Sequence, residues 1–366
     1  MTIENESKLK VLRQKIETVD EDILRLLDER AKIAVDVGRL KTEGNMDFYD
    51  PQREGQILAG LAQKNTEAFP QRAVQSVFRE IISACRSLEV ALTVAYLGPA
   101  ASYTHLASVK HFGSSIRALS QETIDKVFEA VESKKVEYGV VPVENSTEGA
   151  VDRTLDLIAE SPLTICGEVL LRISHHLLSQ TGARKDIETI YSHPQALGQC
   201  RGWLMKNFPN TPLAEATSTA RAAEIAASDK KAAAIASLFT AEHYGLKVIE
   251  SRIEDEHHNY TRFLVLGTRS SGKTGNDKTS ILFYLPHAPG TLYQVLKVFS
   301  ERGLNLTKIE SRPLRGKPWE YVFFVDVDGH PTDGPIDEVV SILKKRVLLT
   351  KLLGSYPKVS LETAES

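Results

Sequence analysis

The chain has 366 residues, 42% hydrophobic and 25% charged, with a net charge of -3. That length exceeds one ordinary core and predicts two or three domains, while the charge balance creates no field that would gather nucleic acid or an anionic membrane. Its three cysteines, Cys85, Cys166 and Cys200, are widely spaced and lack a C-x-x-C, so neither a disulfide framework nor a zinc site is expected; with no apolar signal core in MTIENESKLK, the expected compartment is the cytoplasm.

Residues 1–91 read as all helix. Leu9, Leu12, Ile16, Val19, Ile23, Leu26, Ile33, Val37 and Leu40 recur at alternating spacings of three and four, a seam suited to a helical partner, with Arg30 in the place of one apolar residue. A turn is expected around GNMDFYD. Asp50 then caps a second helix that has Pro51 at its first position. A third helix runs from QRAVQSVF to SLEVA, with Val74, Val77, Phe78, Ile81, Ile82, Cys85 and Leu88 on one face.

From residue 92 to 268 short apolar runs alternate with helical patterns, which predicts an α/β segment rich in parallel strands. Strands are expected at LTVAYLG, YGVVPV, ETIYSH, AAAIAS and TRFLVLG, and helices over 121–134, 150–160, 195–207, 218–228 and 237–244. Residues 269–278 form a polar linker. Running into it, GTRSSGKT (267–274) fits the P-loop pattern, but GNDK leads on into a strand, whereas a phosphate loop must open a helix. Residues 279–366 follow the order βαββαβ, a ferredoxin-like α+β arrangement.

Several positions carry chemistry. A charge in an apolar seam is costly unless an anion meets it, so Arg30 either sits at a solvated or register-setting position or awaits a ligand. Lys41 lies about 20° around the helix and roughly 16 Å along it, close enough for both side chains to converge on one small anion. Arg13 is about 25 Å from Arg30 and reaches the same ligand only from a second chain. Further on, VPVENSTEGAV, YSHPQALGQC and ATSTARAA each end at a helix start whose free N–H groups suit a carboxylate, although ordinary capping explains any one of them. The pairs His175-His176 and His257-His258 lack the helical spacing of a metal site, and no metal is expected.

Arg13, Glu29-Arg30, Lys41, Asp50, Arg53-Glu54, Cys85 and Glu89 resemble, in order and spacing, the all-helical chorismate mutase domain. The resemblance implies a homodimer with exchanged long helices. In it, Arg13 of the other chain and Arg30 hold the substrate carboxylates, and Lys41 the ether oxygen and one carboxylate. Asp50 and Glu54 serve the hydroxyl region, with Arg53 beside them. Cys85 stands where serine is usual, and Glu89 where glutamine is frequent; Glu89 donates to the ether oxygen only when protonated. The reaction needs no nucleophile, only a held compact conformer and stabilisation of developing charge.

GPAASYTH, VPVENSTEG, YSHPQA and NYTRFLVLG together resemble the prephenate dehydratase domain over about residues 92–268. The resemblance implies a two-lobed fold like that of periplasmic binding proteins, with Thr261 catalytic. Substrate contacts are expected from Ser102, Asn145, Ser146, Thr147, Ser192, His193, Ser218, Thr219, Arg262 and Phe263, with Arg262 on a carboxylate. PGTL (289–292) and NLTKIESRP (305–313) are similar to the signatures of an ACT regulatory domain. That resemblance implies phenylalanine binding by Gly290, Thr291, Leu292, Glu310, Ser311, Arg312 and Pro313, although Arg312 has a second reading as a partner of Glu310.

The chain as a whole is expected to join domains 1–91, 92–268 and 279–366 in converting chorismate to prephenate and prephenate to phenylpyruvate, under feedback by phenylalanine. Neither reaction requires a cofactor. Two rivals remain: a non-catalytic amino-acid sensor, which would not need Lys41, Asp50, Glu54 and Glu89, and a dehydratase with a degenerate mutase domain.

Overall fold

The computed structural model describes residues 3–44, 49–65, 68–313 and 320–360. It divides into two compact units, Met1–Leu92 with Phe112–Arg117, and Thr93–His111 with Ala118–Ser366.

The first unit is built on α1 (Ile3–Glu43), α2 (Pro51–Lys64) and α3 (Gln71–Glu89). Residues 45–48 of the expected turn lie outside the described residues. Asp50 caps α2 as expected, its carboxylate accepting the Arg53 N–H at 3.0 Å. The α3 face is rotated from its expected position: Val74, Ile82 and Cys85 are buried, but Val77 is 46% and Leu88 56% exposed. The buried arc turns instead toward Ser83 and Arg86. Apolar periodicity missed this because a buried arginine counts as polar. Gly38 lets α3 approach α1 closely, since a Cβ there would stand 2.9 Å from that of Glu89. The apolar seam of α1 remains open within one chain, from 40% exposed at Val37 to 62% at Leu40.

The second unit contains three sheets. The first has the order β2-β1-β3-β11-β5, from β1 (Thr93–Leu97), β2 (Arg117–Gln121), β3 (Tyr138–Asn145), β5 (Thr164–Arg172) and β11 (Tyr260–Gly267), with β4 (Gly149–Ala150) paired to β3. Around it lie α4 (Tyr103–Phe112), α5 (Ile124–Glu132) and α6 (Asp152–Glu160). The second has the order β10-β6-β9-β7-β8, from β6 (His176–Ser179), β7 (Thr189–Ser192), β8 (Leu213–Glu215), β9 (Ala232–Ala236) and β10 (Lys247–Glu250). Its helices are α7 (Pro194–Gln199), α8 (Arg201–Asn207), α9 (Thr219–Ser228) and α10 (Leu238–Tyr244). The helix expected over 195–207 thus breaks at Cys200.

The chain enters the second sheet after β5 and returns to the first at β11, which makes two lobes. These crossings also correct the expectation of parallel-rich sheets. Strands β7, β8 and β9 run parallel, as do β1 and β3, but β11 is antiparallel to β3 and β5, and β6 to β9 and β10.

The third sheet, β13-β14-β12-β15, is built from β12 (Asp277–Tyr284), β13 (Leu306–Pro313), β14 (Tyr321–Asp328) and β15 (Leu349–Pro357), with α11 (Thr291–Ser300) and α12 (Pro335–Arg346) as crossovers. This is the expected ferredoxin-like order. One face packs beneath the helices through Ile281, Phe283, Val325 and Val327. The other sends Leu282, Val322, Phe324 and Leu353 into a core shared with Val143, Leu155, Ile158 and Ile165 of the first lobe. The P-loop-like segment leads into β12 and opens no helix.

Candidate active sites

In the helical unit, the close approach at Gly38 brings Lys41 of α1 against Glu89 of α3, with Nζ and Oε2 3.4 Å apart. Arg30 is half-buried, whereas Arg13, Asp50 and Arg53 are exposed in the single chain. Glu54 meets Arg86, and the guanidinium also donates to the Phe112 carbonyl at 2.6 Å and lies 5.0 Å from the centre of the Tyr49 ring. Burial pushes the Glu54 carboxyl above its ordinary pKa, against the opposing pull of Arg86. Arg86, which sequence reasoning passed over, therefore holds one of the expected substrate contacts. Cys85 is buried beside it in sequence.

In the first lobe, antiparallel pairing sets Thr261 of β11 directly opposite Asn145 at the end of β3. The Asn145 amide donates from Nδ2 to Thr261 Oγ1 and to Asn259 Oδ1, both at 2.8 Å. Its Oδ1 accepts the backbone N–H groups of Thr147 at 3.0 Å and Glu148 at 3.1 Å, and the Thr147 hydroxyl at 2.6 Å. Those two N–H donors fix which end of the amide faces the threonine. Ser146 accepts from the Tyr260 N–H at 2.9 Å and donates to the His258 carbonyl at 3.1 Å. A hydroxyl has one hydrogen and two lone pairs, and Asn145 occupies a lone pair, so the Thr261 hydrogen is left to be given away. Asn259 is the member of this cluster that sequence reasoning missed, although it stands two residues before Thr261.

The other expected contacts fall elsewhere. Arg262 lies on the opposite face of β11 because side chains alternate along a strand. Its guanidinium bonds Glu168 at 2.7 Å, Asp326 at 2.6 Å and the Tyr356 hydroxyl at 2.9 Å, which corrects the expectation that it holds a substrate carboxylate. Phe263 is 2% exposed, a core residue rather than a contact. Ser102 donates to the Leu97 carbonyl at 3.2 Å. In the second lobe, Ser192 is fully buried and donates to the Ile235 carbonyl at 2.7 Å, while His193 caps α7 and Ser218 caps α9 ahead of Thr219. These four gather after β7 and β8, at the carboxyl ends of parallel strands where α/β sheets place ligands.

In the C-terminal sheet, Gly290 precedes α11, and Thr291 donates back to the Ala288 carbonyl at 3.0 Å, with Leu292 against the helix-side core. Along β13, Ser311 and Pro313 are exposed and Glu310 is half-buried. Arg312 pairs with Asp152 and Asp156 of α6, not with Glu310.

The chain matches three family descriptions: chorismate mutase type II over residues 12–90, prephenate dehydratase over 94–271 and the ACT domain over 279–344. It is 47% identical to the bifunctional chorismate mutase/prephenate dehydratase of Aquifex aeolicus, across 97% of this chain and 99% of that one. This chain belongs to the bifunctional chorismate mutase/prephenate dehydratase family. As a family member it is an enzyme with two activities, an isomerase and a lyase. A prephenate dehydratase from Arthrobacter aurescens, solved in complex with L-Phe, superimposes with a TM-score of 0.67 at 33% identity, covering 75% of this chain and 94% of that one. A quorum-quenching acylase, GqqA, reaches the same TM-score at 30% identity, over 74% of this chain and 99% of that one. Fold alone therefore does not choose the chemistry of the second unit. The full-length relatives do.

Proposed function

We propose that Thr261 is the group that serves the leaving hydroxyl of prephenate. The ring hydroxyl departs as water while the ring carboxylate departs as carbon dioxide, and the electron pair of the broken carbon–carbon bond completes the aromatic ring of phenylpyruvate. The enzyme must supply a hydrogen to the departing oxygen. The observation that carries this role is the Asn145 donation at 2.8 Å, which occupies a lone pair of the threonine oxygen and leaves its hydrogen to be donated. His193, Ser218 and Thr219 supply the second lobe's polar edge for the substrate carboxylates, while the buried Ser192, spent on the Ile235 carbonyl, only supports that edge.

At the helical site, Arg30, Lys41 and Glu89 hold chorismate, with Arg13 from a second chain, and the open seam of α1 is the surface that makes the homodimer. Phenylalanine acts as a feedback effector on the C-terminal domain, supported by the L-Phe complex of the Arthrobacter aurescens relative. The compartment is the cytoplasm, supported by the biosynthetic role of the relatives.

The test is Thr261→Ala in the full chain, supplied first with chorismate and then with prephenate. Prephenate turnover is expected to fall by about a thousandfold, comparable with loss of one well-placed hydrogen-bond donor, with chorismate consumption unchanged. A variant that converts prephenate at the parental rate removes Thr261 from the mechanism.

A further inference from the structure

Strand β13 carries two sets of side chains, and a one-residue bulge sorts them. Leu306 lies opposite Val327, but Lys308 lies opposite Asp326, so Thr307 is the extra residue. Val327 belongs to the core beneath α11 and α12, whereas Asp326 faces Arg262 of the first lobe. In unbroken register Lys308 would stand opposite Val325, in the apolar core. The bulge turns it toward the dehydratase lobe, where Nζ donates to Glu144 Oε2 at 2.6 Å with the side chain 12% exposed. Further along the same face, Arg312 pairs with Asp152 and, at 3.3 Å, with Asp156, both on α6.

These contacts bracket one loop. Glu144 precedes Asn145, the donor to Thr261, and Asp152 opens the helix that follows the loop. A single strand of the C-terminal sheet thus grips both ends of the segment that builds the Thr261 cluster. That strand is an edge strand, bonded only to β14, and its other face leaves Ile309 and Ser311 exposed. An edge held by hydrogen bonds on one side is displaced at less cost than a central strand.

We propose that β13 relays the state of the C-terminal domain to the dehydratase site. Lys308 is the positioning residue: it acts through Glu144 on the Asn145–Thr261 hydrogen bond. The inference rests on the reading of phenylalanine as the effector. A ligand that favours one position of β13 changes the grip on the loop, and the coupling lies in that difference.

The experiment compares the full-length parent with Lys308→Met, Lys308→Arg and Asp156→Asn, measuring prephenate turnover against phenylalanine concentration and phenylalanine binding by calorimetry. Lys308→Met is expected to bind phenylalanine, while half-inhibition, read against its own rate without effector, needs about tenfold more of it. Lys308→Arg retains parental inhibition. Should Lys308→Met fail to fold, the near-isosteric Asp156→Asn carries the test with the same expected shift. Variants that bind phenylalanine and are inhibited like the parent overturn the relay alone. A parent that is neither bound nor inhibited by phenylalanine overturns the effector reading and the relay with it.

Discussion

Arg262 shows how little a residue's type says about its partner. In the triplet Thr261-Arg262-Phe263 the sequence offers a hydroxyl, a cation and an aromatic ring side by side, and all three look available to a substrate. Strand alternation separates them: the threonine meets Asn145, and the guanidinium meets Glu168, Asp326 and Tyr356 between the first lobe and the C-terminal sheet. Burial alone would raise the Asp326 carboxyl, but Arg262, the Ser280 hydroxyl and Lys278 more than offset it and hold its pKa below the ordinary 3.8. A carboxyl depressed in the folded state contributes stability above its unfolded value and loses it as pH falls through the folded value. Asp326→Asn is therefore expected to cost about 3 kcal/mol at neutral pH, the usual cost of breaking one side of a buried pair. The difference in Tm between parent and variant should close as pH falls below 3.8. A difference that stays constant into acid would assign the loss to packing instead of charge.

Among the elements, those with strong periodicity were legible and those defined by contact were not. The α1 seam, the Asp50 cap and the βαββαβ order all follow from local patterns. Strands β5 and β6 did not, because their burial on both faces erases alternation, and β5 carries Glu168 inside. The same limit hides a close approach between β15 and β5. Gly354 has φ 153°, and a Cβ built there would lie 2.0 Å from the Ile165 carbonyl oxygen, so these backbones meet only because that position has no side chain. Gly354→Ala is expected to force β15 off β5 and destabilise the second unit by about 1–3 kcal/mol. Denaturant unfolding followed for that unit checks this, and a midpoint unchanged from the parent would show that the contact yields without cost.

At the scale of the whole molecule, the seam of α1 is an apolar surface too long for one chain to cover: its members are 40–62% exposed. The proposed pairing with a second copy would cover this surface and bring in Arg13, about 25 Å from Arg30 along the helix. Ile23→Glu is expected to shift the sedimenting mass toward the 40.5 kDa of a single chain and to cut chorismate turnover by about a hundredfold or more, with prephenate turnover largely retained. A variant that stays dimeric with full mutase activity would place the interface elsewhere.

By itself the sequence determined the class of each segment and the helix ends with side-chain caps, because these depend on spacing and on groups within a few residues of one another. Only the tertiary structure decided which cation serves which anion. Arg86, Arg262, Lys308 and Arg312 each found a carboxylate 32 or more positions away in the chain. Such partners are chosen by the faces that strands and helices present after packing, and a single inserted residue such as Thr307 reverses that choice.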